Sequence, residues 1–219
     1  MQIDRQYAPS LDRQAPAVPL PWDYHTAKWI SRISSPPLLV TIGVCLTALK
    51  LGTSSAWLWA GFYLLMGVLL PVLYIVRKVQ QGEITDFHIK VREQRIRPMI
   101  LMLVTSLAGW LVMVLGSAPR ALTIFAGTGV IQVAFLLLVT MRWKISGHST
   151  AAAGFAVFIF ALFGDAVAPV LLIIPIVAWS RVRRNRHELN QTIAGSMAGI
   201  VYMLIVLHLV NIQGPWLTP

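Results

Sequence analysis

The sequence predicts an all-α fold, a polytopic integral membrane helix bundle with about seven apolar segments, of which six or seven span the bilayer. Hydrophobic residues make up 57% of the 219 residues, and the mean hydropathy is +0.70, which exceeds what ordinary soluble domains need. The apolar residues also form runs of membrane length between short polar stretches. Trp57, Trp59 and Tyr74 lie at the two ends of one such run, as interfacial aromatic residues do.

Each apolar segment is predicted to be a helix, and two pairs of segments are predicted to form antiparallel hairpins. The first hairpin turns at Ala118-Pro119-Arg120 and the second at Gly164-Asp165, where only a few residues separate the apolar runs. Pro169 and Pro175 are expected to kink the second arm of the second hairpin. The segments are residues 36–51, 56–76, 99–117, 121–141, 149–163, 166–180 and 192–213.

Three parts follow from this division of the chain. Residues 1–35 form a polar or interfacial N-terminal segment, residues 36–213 a membrane helical domain, and residues 214–219 a short C-terminal tail. The first part lacks a basic start followed by an apolar run, so it is not expected to be a signal peptide. Trp22 and Trp29 with Lys28 and Arg32 indicate that part of this segment lies at the level of the lipid headgroups. The alternative is that the segment is disordered.

The distribution of basic residues predicts the orientation in the membrane. The net charge is +10, and with seven crossings all Lys and Arg residues except Lys50 and Arg120 fall on one side. Basic residues stay in the cytoplasm, so the N-terminus and the later polar loops are predicted to be cytoplasmic and the C-terminus outside, in a bacterial-type cell membrane. Because topology explains the charge, no nucleic-acid partner is expected.

The polar stretch 142–150, between two long apolar runs, is the first candidate site. Ser146-Gly147-His148 stands where the next helix is predicted to begin. A helix N-terminus offers backbone N–H donors and the positive end of the helix dipole, to which a hydroxyl and a titratable imidazole are added here. This combination suits a phosphate group, but Ser-Gly-His also occurs in ordinary helix-entry turns, where Ser caps the helix and His faces water.

Three motifs occur in order, all on the predicted cytoplasmic side. Lys90 with Arg97-Pro98 matches K-x6-R-P, Ser146-Gly147-His148 matches the last three positions of P-S-G-H, and Ser180-Arg181 with His187 matches S-R-x5-H. Over roughly residues 90–191, the chain resembles the membrane branch of the type 2 phosphatidic acid phosphatase superfamily, which includes lipid phosphate and prenyl diphosphate phosphatases. The superfamily also contains bacterial acid phosphatases and vanadium haloperoxidases.

Two positions depart from the family pattern. Ile145 replaces the Pro that begins the second motif, which changes only the entry to the turn. Gln191 replaces the Asp of S-R-x5-H-x3-D, which in the family orients the nucleophilic His and stabilises its charge. A Gln carbonyl can still accept the Nδ1–H but supplies no counter-charge. Lower turnover, a less demanding substrate and a catalytically weakened protein are all compatible with this replacement.

The resemblance implies that the helical domain, residues 36–213, is phosphatase-like. It implies an enzyme, a phosphoric monoester or diphosphate hydrolase that works through a phosphohistidine and needs no metal and no cofactor. His187 is the implied nucleophile and Gln191 holds its ring. His148 protonates the leaving group and then activates water. The implied phosphate-binding residues are Lys90, Arg97, Ser146, Gly147 and Arg181.

The implied partners are the lipid bilayer and a membrane lipid phosphate or isoprenoid (di)phosphate, since the phosphate must reach the membrane interface on a tail that tolerates lipid. Three alternatives stay open on the same scaffold. They are a lipid phosphotransferase, a terpenoid-forming enzyme that ionises a diphosphate, and a catalytically weakened membrane protein that binds lipid.

Overall fold

The structure is a computed structural model that describes residues 22–84 and 93–210, and every regular element within those ranges is helical. This confirms the predicted all-α class. The α-helices are α1 Trp22–Ile33, α2 Pro36–Leu51, α3 Ser54–Leu64, α4 Leu70–Gln80, α5 Ile96–Leu115, α6 Arg120–Thr140, α7 Gly147–Phe163, α8 Ile173–Arg183 and α9 Leu189–Leu209. A π-helical turn, Leu65–Leu69, joins α3 to α4, and a 3-10 segment, Gly164–Leu172, joins α7 to α8.

Several helical runs are long and apolar enough to cross a membrane, as an integral membrane protein requires. The described residues contain five such runs, and a sixth if α1 and α2, bent by 52° to each other, count as one span. The sequence divides the fourth run into two segments, which is why its count of seven is higher. Large apolar side chains cover the outside of the bundle, as lipid contact demands. The five runs are Ser54–Gln80, Ile96–Leu115, Arg120–Thr140, Gly147–Arg183 and Leu189–Leu209.

The fourth run is itself a hairpin. Gly164 has a φ of +74°, a backbone conformation that residues other than glycine rarely adopt. The 3-10 segment that starts at Gly164 turns the chain back. The backbone N–H of Ser146, before α7, donates to the carbonyl of Gln191, after α8, at 3.3 Å. The chain has therefore returned to the end of the bundle where α7 begins, and the second and third motifs lie side by side.

Close packing of α7 on α9 fixes this arrangement. A Cβ on Gly195 would lie 2.8 Å from the carbonyl oxygen of Ser146, and one on Gly199 would clash with the carbonyl oxygen of Thr150. Only glycine fits at these two positions, one turn apart on α9, so the two backbones approach closely. The N-terminal half of α9 is thereby held against the first two turns of α7.

The N-terminal segment is described only from residue 22 onwards. Its α1 packs against α8, and Asp23 forms a bidentate ion pair with Arg183, at 2.5 and 3.0 Å. Trp22 and Trp29 are exposed on the outer side of α1. Residues 1–21, 85–92 and 211–219 lie outside the described part, so the predicted division into three parts stays a prediction.

Candidate active site

Ser146 caps the helix that carries His148. Its Oγ accepts from the backbone N–H of Ser149 at 3.3 Å and from the Ser149 hydroxyl at 2.9 Å, and its carbonyl accepts from the hydroxyl of Thr150 at 3.1 Å. Ser146 is fully buried. These bonds start α7 at Gly147 and place His148 in its first turn, at the positive end of the helix dipole. In this structure the Ser146 N–H donates to the Gln191 carbonyl and its Oγ accepts from Ser149. Contact of Ser146 with a phosphate therefore stays a prediction.

His187 lies in the loop between α8 and α9, bonded to Gln191. Its Nδ1 is 2.9 Å from Oε1 of Gln191, and both residues are buried. Gln191 is also part of a capping box, since its Oε1 accepts from the backbone N–H of Glu188 at 3.4 Å. The atom facing His187 is therefore the amide oxygen, and an oxygen requires Nδ1 to be the donor. The lone pair of His187 is then on Nε2.

The surroundings of His187 keep its ring neutral. Burial lowers the pKa of His187 to about 3, and the hydrogen bond to Gln191 acts in the opposite direction. The positive charges of Arg181, Arg95 and Lys144 lower the pKa further. At neutral pH the imidazole is therefore unprotonated, which is the form that can act as a nucleophile. An anion beside these three cations would offset their mutual repulsion.

The cations at this end of the bundle are only partly those that the motifs name. Arg181 is 2% exposed, whereas Arg97 is exposed on the protein surface. Lys90 lies outside the described residues. Arg95 and Lys144 are half-buried and close enough to His187 to lower its pKa, yet neither belongs to a motif. The sequence offers no stronger signal for these two than their place in basic stretches.

A cavity of about 240 Å³ opens beside His148. Arg95 and Gly147 also line it, and most of its walls are apolar side chains of α2, α4, α5 and α6. Along α6 the lining runs from Thr140 to Gly129, so at 1.5 Å per residue the cavity is about 16 Å deep. A cavity with a cation and an imidazole at one end and apolar walls beyond fits an amphiphile with an anionic head.

The inner end of the cavity carries a few polar groups. Tyr63 and Gln132 line it, and Tyr202 donates its hydroxyl to Oε1 of Gln132 at 2.6 Å. A second cavity of about 30 Å³ adjoins this end and shares Tyr63, Gly129 and Gln132. A Cβ on Gly129 would lie 2.6 Å from the hydroxyl oxygen of Tyr63. The absence of a side chain at Gly129 therefore leaves the space that the Tyr63 side chain occupies.

The structure thus brings some of the predicted site residues together and leaves others apart. His148 and Gly147 line the cavity, but His187, Arg97 and Arg181 are not among its lining residues. His187 lies on the neighbouring loop, which the bond from Ser146 N–H to the Gln191 carbonyl ties to the start of α7. Within the described residues, no group of three or more His, Cys, Asp and Glu side chains is placed to hold a metal ion.

Comparison with models of known protein families shows to which family the chain belongs. A model of the PAP2 superfamily matches residues 56–215 of this sequence. The chain belongs to the PAP2 superfamily. Members of this superfamily are generally phosphatases, so a phosphatase-type activity is expected of this PAP2 scaffold. No curated protein and no solved structure matches the chain significantly. The matched range begins in the first turn of α3 and includes α4 to α9, whereas α1 and α2 of this PAP2 protein precede it.

Proposed function

We propose that this PAP2 protein is an integral membrane phosphatase that hydrolyses a lipid phosphate or an isoprenoid (di)phosphate through a phosphohistidine, without a metal ion. The observation that carries the choice of substrate is the cavity beside His148, which continues for about 16 Å between apolar walls. A soluble phosphate ester would leave that apolar surface unfilled. A lipid tail fills it and places the phosphate against Arg95 and His148.

The first chemical step joins the phosphoryl group to His187. The lone pair of Nε2 attacks phosphorus, the bond from phosphorus to the leaving oxygen breaks, and His148 donates a proton to that oxygen. Arg95, Lys144 and Arg181 stabilise the negative charge on the phosphoryl oxygens. The low pKa of His187 keeps Nε2 unprotonated for the attack.

The second step releases phosphate. His148, now neutral, takes a proton from a water molecule, and the water oxygen attacks phosphorus. The bond between phosphorus and Nε2 of His187 breaks, which regenerates the free imidazole. Gln191 holds the ring in the same tautomer throughout, because its amide oxygen accepts the Nδ1–H.

The proposed site is on the cytoplasmic side of the membrane. Arg95, Lys144, Arg181, Arg183 and Arg184 gather at the end of the bundle where α7 begins, and the positive-inside rule assigns this end to the cytoplasm. The C-terminus is then outside. A substrate made or delivered at the inner leaflet is consistent with this orientation.

A catalytically weakened lipid-binding protein is the second candidate, and Gln191 is the observation that favours it. The amide supplies the hydrogen bond to His187 but no negative charge to stabilise the imidazolium that forms during attack. This candidate differs from the first in turnover only, since both require a lipid phosphate in the cavity.

The test is release of inorganic phosphate by the purified protein from a panel of prenyl diphosphates and phosphatidic acids, without added metal. We expect the wild-type protein to release phosphate and His187→Ala to lose this activity by at least 10²-fold, since covalent catalysis by the ring is removed. Lipid binding without phosphate release supports the second candidate. Release that persists in His187→Ala eliminates the nucleophile role.

A further inference from the structure

Ser31, on the inner face of α1, contacts two arginines of the third-motif region. Nη1 of Arg181 donates to Oγ of Ser31 at 2.6 Å, and Nη1 of Arg184 donates to the same oxygen at 2.9 Å. Ser31 is fully buried and Arg181 is 2% exposed. A hydroxyl oxygen has two lone pairs, so it can accept both bonds.

This contact is not the usual behaviour of a serine in a helix. Buried serines commonly bond the carbonyl four residues earlier, as Ser34 does with Ile30 at 2.7 Å. Ser31 instead accepts from side chains that lie 150 and 153 residues further along the chain. A cation buried as deeply as that of Arg181 requires acceptors, and a helix outside the motifs provides one.

We propose that Ser31 is a positioning residue for Arg181, and that α1 is thereby part of the phosphate site. The inference rests on the proposed function, in which Arg181 binds the phosphoryl oxygens. A guanidinium is planar with five N–H donors in a fixed pattern. Because this group is rigid, a bond at Nη1 fixes the orientation of the whole guanidinium, including the N–H groups proposed to face the phosphate. Ser31 lies before residue 56, where the family match begins.

The docking of α1 supports this role. The ion pair of Asp23 with Arg183 holds the first turn of α1 against the last turn of α8, and Ser31 lies further along the same helix. Bidentate pairing of a carboxylate with Arg restricts orientation as well as distance. Arg181 also lies on α8, so this ion pair between α1 and α8 fixes the position of Ser31 relative to Arg181.

The experiment compares Ser31→Ala with Ser34→Ala, which removes a buried hydroxyl from the same region without touching an arginine. For both, the affinity for inorganic phosphate is measured by titration calorimetry in detergent, with kcat, KM and Tm. We expect Ser31→Ala to weaken phosphate binding and lower kcat/KM by about tenfold or more, as loss of a hydrogen bond to a charged group does. Ser34→Ala is expected to stay within about twofold of wild type.

A serine with a purely structural role would change Tm but not the affinity for phosphate. Equal phosphate affinity in Ser31→Ala and Ser34→Ala therefore overturns the inference, and so does a lack of phosphate binding by both variants. If Ser31→Ala does not fold, Asp23→Ala, which releases α1 from Arg183, replaces it. Weaker phosphate binding in Asp23→Ala then supports the inference and unchanged binding overturns it. Absence of phosphate release by the wild-type protein counts against the proposed function alone, because the binding comparison still decides the role of Ser31.

Discussion

Replacing Gln191 with a carboxylate of the same length tests how the site sets the protonation of His187, the proposed nucleophile. Oε1 of Gln191 is 2.9 Å from Nδ1 of His187. Gln191→Glu keeps this reach and adds a negative charge, whereas Asp is one methylene shorter. The nearby positive charges of Arg95, Lys144 and Arg181 favour the ionised form of the new carboxylate.

The size of the effect follows from Coulomb's law. Two unit charges about 4 Å apart interact by about 4 kcal/mol at an effective dielectric constant of about 20, which corresponds to about 3 pKa units. The pKa of His187 is about 3 in the wild-type protein, so it is expected to rise to about 6 in Gln191→Glu. If about a third of the positive charge develops on the ring in a loose transition state, the barrier falls by about 1.3 kcal/mol, or about tenfold in rate.

The pH dependence of kcat/KM measures both effects, because it reports the free enzyme. His187 must be neutral to attack, so activity is lost as the pH falls through its pKa. Gln191→Glu is expected to be about tenfold faster than wild type at neutral pH and to lose that advantage near about pH 5, one unit below its raised pKa. Ionisation of the substrate and of His148 affects both proteins equally.

Asn190→Asp is the matched control, since it adds the same charge one residue earlier at an exposed position. Its profile should follow that of wild type. Identical acid limbs for wild type and Gln191→Glu would refute the claim that a negative charge at this position raises the pKa of His187. A rate unchanged at neutral pH, with a shifted acid limb, would refute the view that the missing carboxylate limits attack.

Three further predictions concern general acid catalysis by His148, the length of the substrate's lipid tail and the independence of the reaction from metal ions. His148→Ala is expected to lower kcat by about 10² to 10⁴-fold, and less so with a substrate whose leaving group needs no proton; an equal loss for both kinds of substrate would argue against general acid catalysis. Gly129→Ala should displace the Tyr63 ring and shift the preference among prenyl diphosphates to shorter tails, measured as kcat/KM against chain length, whereas Gly61→Ala, with open space around its Cβ position, should not. Phosphate release should persist in EDTA, and a loss restored by a divalent cation would contradict a metal-independent reaction.

Hydropathy was sufficient to predict the helices but not every irregularity within them. Runs such as residues 99–117 and 121–141 correspond to α5 and α6, because apolar side chains in lipid require an internally bonded backbone. The π-helical turn Leu65–Leu69 was not predicted, since nothing in the composition of 56–76 distinguishes it from a regular helix. The second hairpin was located at Gly164 by its residue type, and its φ of +74 explains why glycine is there.

The site could be predicted only where spacing along the chain carries information. The bond of His187 to Gln191 follows from a separation of four residues, which the sequence displays. Arg95 at the cavity and Ser31 at Arg181 depend on which helix faces pack together over more than 40 residues of separation. No periodicity encodes such contacts, and a motif names only the positions that its family shares.

The most direct test of the central claim is to trap the phosphorylated enzyme. The wild-type protein is mixed with a substrate that it hydrolyses and quenched in alkali, where phosphohistidine survives, and its peptides are analysed by mass spectrometry. We expect one phosphoryl group on the peptide that contains His187 and none in His187→Ala. Phosphate release that continues while His187 stays unmodified, or a phosphoryl group on another residue, would contradict the account.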